Sequence, residues 1–128
     1  MTKRILLDTD ILVDFFHGQK YAKKLIAELQ AQGPVRISIL SIAELRAGFT
    51  SKQAKFFLPK LYDIVVVVNV NVEIAELAGE FRFDYGSKGK SLSTVDTLIA
   101  ATAIVEQCQL VTGNKKDFPM PQLKLYPL

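Results

Sequence analysis

Ile5–Leu7, Val35–Ile39, Ile64–Val70 and Leu110–Val111 are short runs rich in Ile, Leu and Val, and the longer stretches between them have helical periodicity. Consecutive apolar positions leave a strand no wet face, so it must be covered above and below. Strands of that kind alternating with helices predict an α/β fold, with a short central parallel β-sheet and helices on both faces. In such folds ligands bind outside the carboxyl ends of the strands. The residues just beyond each strand are therefore the ones to inspect for chemistry.

The chain has 128 residues, 49% of them hydrophobic, enough for one domain over 1–128 with a real core. No long uncharged apolar stretch is present, so no transmembrane helix is expected. Asp8, Asp10 and Asp14 come too early for a signal peptide. A single cysteine, Cys108, excludes an internal disulfide, and its apolar helical surroundings predict a core or near-core position. A cytoplasmic address follows as the default. The net charge of +3 suits a polyanionic partner. Arg82, Lys88 and Lys90 bracket a Gly-rich segment ahead of Asp96, and Lys115 and Lys116 precede Asp117. Solvated surface lysines are the plain alternative.

Thr9 and Asp10 are suited to capping a helix from Ile11 to Phe16, which Gly18 ends. Lys20–Gln32 places Tyr21, Leu25, Ile26 and Leu29 on one helical face, and Gly33-Pro34 stops it. Helices are also predicted over Ser41–Ala47, ended by Gly48, and Ser51–Leu61, disturbed by Pro59. Asn71 caps a helix to about Tyr85 with Ile74, Leu77, Ala78 and Phe81 on one face; Gly86–Lys90 is a loop. Ser93 caps a nearly all-apolar, buried helix, Thr94–Gln107, and Leu123–Tyr126 reads as a final edge strand.

Four acids stand in distinctive settings: Asp8 at the end of the first strand, Glu44 in Ser41-Ile-Ala-Glu44, Asp96 in Ser93-Thr-Val-Asp96, and Asp117 before Phe118-Pro119. Carboxylates beside core-like segments repel one another unless something positive lies between them. Oxygen-only ligands favour Mg²⁺ or Mn²⁺, which suggests metal-assisted attack on a phosphodiester. Each acid also has a structural explanation. Asp8 and Asp117 can be turn residues. Ser41 with Glu44 has capping-box spacing, and Asp96 is an acid favoured by a helix dipole. Asp10 is a cap or a peripheral member of the site, and Asp14 a helix-surface residue. Other chemistries lack parts. His17 is the sole histidine, so a two-histidine mechanism is excluded, and one His with one Cys does not build a usual zinc site. Gly86-Ser-Lys-Gly89 does not fit a phosphate-binding P-loop.

Leu7-Asp-Thr-Asp-Ile-Leu-Val-Asp14, Ser41-Ile-Ala-Glu-Leu-Arg-Ala-Gly48, Asp96-Thr-Leu-Ile-Ala-Ala-Thr-Ala103 and Val111-Thr-Gly-Asn-Lys-Lys-Asp-Phe118 follow one another in order. Together they resemble the PIN domain, and within it the VapC-type toxins of bacterial toxin–antitoxin pairs. The likeness runs nearly end to end. It implies a metal-dependent endoribonuclease that cuts structured RNA such as tRNA, leaving a 5′-phosphate and a 3′-hydroxyl. It implies Asp8, Glu44 and Asp96 as core carboxylates and Asp117 as the fourth, less uniform one, together holding one or two Mg²⁺ or Mn²⁺ ions. Thr9, Thr112 and Asn114 are expected to shape the pocket. Gly113 stands where a larger residue is common. Lys88, Lys90, Lys115 and Lys116 are candidate RNA contacts, and Arg46 is a candidate partner for a site acid. The resemblance also implies a homodimer and a VapB-type antitoxin, with Ser51–Leu61 (Phe56, Phe57, Leu58) as a candidate antitoxin groove or, equally, ordinary core.

Two rivals remain. Asp8-Thr-Asp10 is similar to the nucleophile-and-acid motif of haloacid-dehalogenase-like phosphatases, which need further lysine and acidic motifs and usually a longer chain. The other is a non-catalytic binding module with a decayed acidic pocket, against which stands the presence of all four acids.

Overall fold

The computed structural model describes residues 4–128. β1 (Arg4–Leu7), β2 (Val35–Ser38), β3 (Val66–Val68) and β4 (Cys108–Val111) form one sheet in the order β3-β2-β1-β4, with every pairing parallel. In register, Ile5 lies opposite Val35 and Gln109, and Leu7 opposite Ile37 and Val111. The chain steps outward from β1 through β2 to β3, then returns to the far side of β1 for β4. The order thus reverses between β1 and β4, and in an open parallel sheet that reversal leaves a crevice at the carboxyl ends of the two strands.

Helices α1 (Thr9–Phe16), α2 (Lys20–Gln32), α3 (Ile39–Gly48) and α4 (Ser51–Ile64) contribute to one core layer, and α5 (Val72–Ser87) and α6 (Thr94–Val105) to the other. Alternation along β1 divides its side chains between them. Ile5 and Leu7 join Ile11, Leu12, Leu25, Ile26, Leu29, Leu45 and Leu61, whereas Leu6 joins Phe81, Ile99, Ala100 and Leu110. Each fully buried Leu or Ile is worth roughly 1.5–3 kcal/mol. β1 therefore needs both layers, as its unbroken apolar sequence requires. The small residues Ala100, Ala101 and Ala103 let α6 lie close against its neighbours, and all three are completely buried.

The expected α/β architecture is present, with local differences that have physical causes. Asp8, not Thr9 or Asp10, caps α1, because its backbone is still extended where β1 ends. Ser38 rather than Ser41 caps α3: β2 turns straight into the helix, and Ser38 Oγ accepts from the Leu40 N–H at 3.1 Å. Only Val66–Val68 of the valine-rich run is strand, since α4 continues through Pro59 to Ile64. A Thr50–Gln53 capping box starts α4, and the completely buried Leu61 anchors its far end. α6 stops at Val105, and Gln107, at φ 56°, turns the chain so that Cys108 opens β4 instead of ending a helix. Tyr21 is 48% exposed; Ala22 takes its expected place on the buried face of α2. Leu123–Tyr126 supplies a single parallel bridge, Leu110 to Leu125, because Pro119, Pro121 and Pro127 crowd the segment with residues that cannot donate to a ladder. Among the described residues no helix is long and apolar enough to cross a membrane.

Candidate active site

The crevice between β1 and β4 is occupied by Asp8. Its N–H donates to the Val111 carbonyl at 2.9 Å, continuing the parallel ladder one step past the strand. Its side chain, in a residue only 5% exposed, accepts from the Thr9 N–H through Oδ1 (2.8 Å) and from the Thr112 hydroxyl through Oδ2 (2.9 Å). Thr112, itself completely buried, also accepts from the Asn114 N–H at 3.0 Å, so the turn after β4 and the turn after β1 are laced through one hydroxyl. Burial pushes the Asp8 carboxyl up to about 7; the charges of Asp10 and Asp96 push the same way, against the two hydrogen bonds.

Thr9 connects this carboxylate to Glu44. Thr9 Oγ1 donates to Glu44 Oε1 at 2.5 Å and lies 2.9 Å from Ser41 Oγ. With its single proton committed to the carboxylate, Thr9 accepts from Ser41. Ser41, completely buried inside α3, is therefore not a helix cap but the start of a hydroxyl chain that orients Glu44. The capping-box explanation of Glu44 falls with it, because α3 begins two residues earlier and Glu44 lies past its first turn.

Asp96 stands in the first turn of α6, where its N–H donates to the capping Ser93 Oγ at 3.0 Å. Asp117 ends the short 3-10 turn Lys115–Asp117, and both acids are half-buried. Burial raises the Asp96 carboxyl, and the negative charge of Asp117 raises it further. Asp96 thus feels Asp117 on one side, while Asp8 feels Asp96 on the other.

Asp10 is the residue that sequence reasoning undervalued. Its Oδ2 accepts from the Gly113 N–H at 2.8 Å, across from α1 to the turn after β4. Its Oδ1 is buried with no hydrogen-bond partner among the described residues. Burial again raises the carboxyl. A proton on either Asp8 or Asp10 can serve both, but two carboxylates leave Oδ1 without a donor. The signal was Gly113, where a Cβ would lie 2.8 Å from Asp10 Oδ2, closer than real Cβ contacts. The missing side chain at 113 makes room for Asp10.

The remaining candidates lie further out. Asn114, Lys115 and Lys116 are exposed at the turn carrying Asp117, and Lys88 and Lys90 are exposed after α5. Lys90 Nζ reaches the Lys116 carbonyl at 3.4 Å. Arg46 donates to the Phe49 carbonyl at 2.9 Å and so closes the end of α3 rather than pairing with a site acid. Asp14 binds the Tyr21 hydroxyl; desolvation and this bond push the phenol up to about 12. In Ser51–Leu61, Phe57 and Leu58 are half-buried, while Phe56 is 58% exposed beneath the Lys60 ammonium, 4.5 Å from its ring centroid. Phe57 packs on Phe16 and Phe49 at centroid distances of 5.1 and 5.4 Å. The segment is part core and part open apolar surface.

Among the described residues no three Asp, Glu, His or Cys side chains are grouped closely enough to hold a metal ion by themselves. Mg²⁺ does not require such a group, being held as a rule by one or two carboxylates, its own waters and substrate phosphates. The donors fit such an ion: all are oxygens, Asp10 Oδ1 is orphaned, and Asp8 and Asp96 are raised in part by neighbouring carboxylates. A cation relieves that repulsion. The phosphatase alternative finds no support here, since Asp8 is buried with both oxygens engaged by hydrogen bonds.

Residues 5–120 match the model of the PIN domain. Ribonuclease VapC19 of Mycobacterium tuberculosis is 38% identical over 116 residues, covering 90% of this chain and 92% of that protein. Ribonuclease VapC10 of the same organism is 35% identical, covering 94% and 90%. Among solved structures, VapBC2 from Rickettsia felis, bound to a DNA fragment from its promoter, superposes with a TM-score of 0.85 at 26% identity, covering 95% of this chain and 96% of that one. The chain belongs to the PIN domain family, among its VapC ribonucleases.

Proposed function

We propose that this protein is a divalent-metal-dependent endoribonuclease, the toxin of a toxin–antitoxin pair, acting on structured RNA in the cytoplasm. The observation that carries the reading is Asp8, a buried carboxylate fixed at the sheet's switch point beside Asp10 and Asp96, with Glu44 held through Thr9. Asp8 and Asp96, with Glu44 and Asp117, are the residues that would hold Mg²⁺ or Mn²⁺. When bound, such an ion supplies positive charge to a phosphate oxygen and lowers the pKa of a water. The protein's own contribution is orientation. Thr112 and the Thr9 N–H hold Asp8 in one rotamer, and the Ser41–Thr9 chain aims Glu44. Lys115 and Lys116 beside Asp117, with Lys88 and Lys90, offer cations to the phosphate backbone, which makes affinity fall with salt. Water attacks in line, leaving a 5′-phosphate and a 3′-hydroxyl.

Relatives named as VapC ribonucleases support RNA as the substrate. Solved toxin–antitoxin complexes, VapBC2 of Rickettsia felis at 26% identity and one from Klebsiella pneumoniae at 29%, support a VapB-type antitoxin as partner. A homodimer is the assembly proposed with it. The half-open apolar face of Phe56, Phe57 and Leu58 is the candidate antitoxin contact. The test is incubation of small RNA with antitoxin-free protein in Mg²⁺, Mn²⁺ or EDTA, followed by mapping of fragment ends. Discrete cuts with 5′-phosphates that vanish in EDTA are expected. Cuts that persist in EDTA, or carry 2′,3′-cyclic phosphates, would sink the metal mechanism.

A further inference from the structure

An open cavity of about 440 Å³ lies between the end of α5 and the lead-in to α6, lined by Arg82, Phe83, Gly86, Gly89, Ser91 and Leu92. None of these residues has a part in the chemistry above. α5 turns Ile74, Ala78 and Phe81 to the core, and Phe83 falls off that face, 76% exposed. Arg82 Nε donates to the Leu92 carbonyl at 3.3 Å, which ties the two walls together and keeps a planar cation in the lining of the cavity. A Cβ at Gly86 would meet nothing within 4 Å, so no packing demands glycine there, and a large side chain at that position would extend into the open space. Gly89, at φ 82°, makes the turn.

The cavity is continuous with the acidic site along the chain. Ser91 and Leu92 run directly into Ser93, which caps α6, and Asp96 sits in the first turn of that helix. Lys90 bridges from the cavity rim to Lys116, next to Asp117. Tyr85 donates to the Pro119 carbonyl at 3.2 Å and pins the same turn to the end of α5. The exposed Phe83 ring and the Arg82 guanidinium in the lining, with Lys90 and Lys116 on the segments that lead to the acids, suit an unpaired nucleobase with its phosphates. Bases splayed from single-stranded RNA stack on aromatic rings and arginine planes, whereas their backbone follows lysines. An apolar peptide would leave these cations unanswered.

The geometry points to this cavity as a base-binding subsite of the proposed nuclease: a single unpaired nucleobase stacks on Phe83 beside Arg82, and its backbone runs past Lys90 and Lys116 to the carboxylates. The inference rests on RNA being the substrate. It makes the enzyme select loops or unpaired ends whose extruded base lies a few nucleotides from the cut.

The test uses unstructured hexanucleotide RNAs carrying 2-aminopurine at each position in turn, in EDTA so that binding is read without cleavage. Stacking on Phe83 quenches the fluorescence at one register. Phe83→Ala should remove that quench and weaken binding about tenfold, the scale of one lost base–aromatic stack. Phe83→Tyr should restore both, and Gly86→Leu, which fills the cavity, should behave like Phe83→Ala. Phe83 is on the surface, so circular dichroism should show all three variants folded. An unchanged quench in Phe83→Ala overturns the subsite. So does an unchanged quench combined with a lost antitoxin complex or lost dimer, which assigns the face to a protein partner. Cleavage by the wild type in Mg²⁺ is scored separately. Cutting without a Phe83-dependent quench rejects only the subsite, and a Phe83-dependent quench without cutting keeps the subsite and rejects only the nuclease.

Discussion

The site has two unlike halves. At the end of β1, Asp8 is buried, both its oxygens accept hydrogen bonds, and Thr9, Thr112 and Ser41 fix everything around it. At the start of α6 and in the turn after β4, Asp96 and Asp117 are half-buried and oppose each other's charge. The first half is held in place by the fold, yet the charges of Asp10 and Asp96 beside Asp8, and the Asp10 oxygen without a donor, leave it short of positive charge. The second is more open and equally unbalanced, which is the state expected of groups that await a cation and a phosphate. The halves differ in rigidity and share the need for a cation.

The sharpest break of that contrast is Asp8→Asn. It keeps the shape and removes the charge, so RNA cleavage should fall at least about a hundredfold, while the protein remains folded in a thermal melt. Retained cleavage would remove Asp8 from the chemistry. Asp117→Asn should reduce cleavage without lowering the melting temperature in EDTA. A clear loss of stability there would show that the second half is built as firmly as the first.

Gly113→Ala attacks the rigid half sterically, since the new methyl meets Asp10 Oδ2 at 2.8 Å. Gly113 is exposed and the atom it meets ends a side chain, so Asp10 shifts and strains its bond from the Gly113 N–H, at a cost of about 1 kcal/mol, the scale of one hydrogen bond. Asp10→Ala in the same chain should recover most of it, and a double-mutant cycle in urea measures the coupling. Additive effects would mean that the turn moves aside instead.

The pH dependence of the metal-free protein sharpens the comparison further. The folded Asp8 carboxyl stands at about 7 against 3.8 for an unperturbed aspartate, so the folded state binds the extra proton. This group's stabilisation is complete below about 3.8 and is lost as pH rises through about 7. The melting temperature in EDTA should therefore decline between pH 5 and 8, and Asp8→Asn should flatten the decline. Excess Mg²⁺ should raise the melting temperature more at pH 8 than at pH 6, because ligands must be deprotonated to bind. The smallest effect belongs to Lys88→Ala with Lys90→Ala. RNA affinity should drop modestly, and its slope against log salt should shrink by about one per lost phosphate contact. An unchanged slope would place those lysines away from the backbone.

The layered fold and the positions of Asp8 and Asp96 were legible because they follow from local pattern: apolar runs on β1 and β4, and a Ser93 cap three residues before Asp96. What was illegible depended on contacts between distant segments. Ser41 has capping-box spacing to Glu44, yet Ser38 caps α3, because where a strand ends is decided by its partners in the sheet. Asp10 could be valued only once the turn after β4 was seen to donate the Gly113 N–H to it. That Phe83 lines a cavity depends likewise on the end of α5 and the lead-in to α6 being brought together.

The bond from Thr112 to Asp8 joins residues 104 positions apart, and β4 is the last strand added beside β1. A chain is synthesised from its N-terminus, and pairings across such separations form late. A nascent copy that has emerged as far as α5 lacks Thr112, Asp117 and the whole of α6, and with them most of the layer that covers Leu6. If the protein destroys RNA, the ribosome making it is spared until nearly the entire chain has left the exit tunnel.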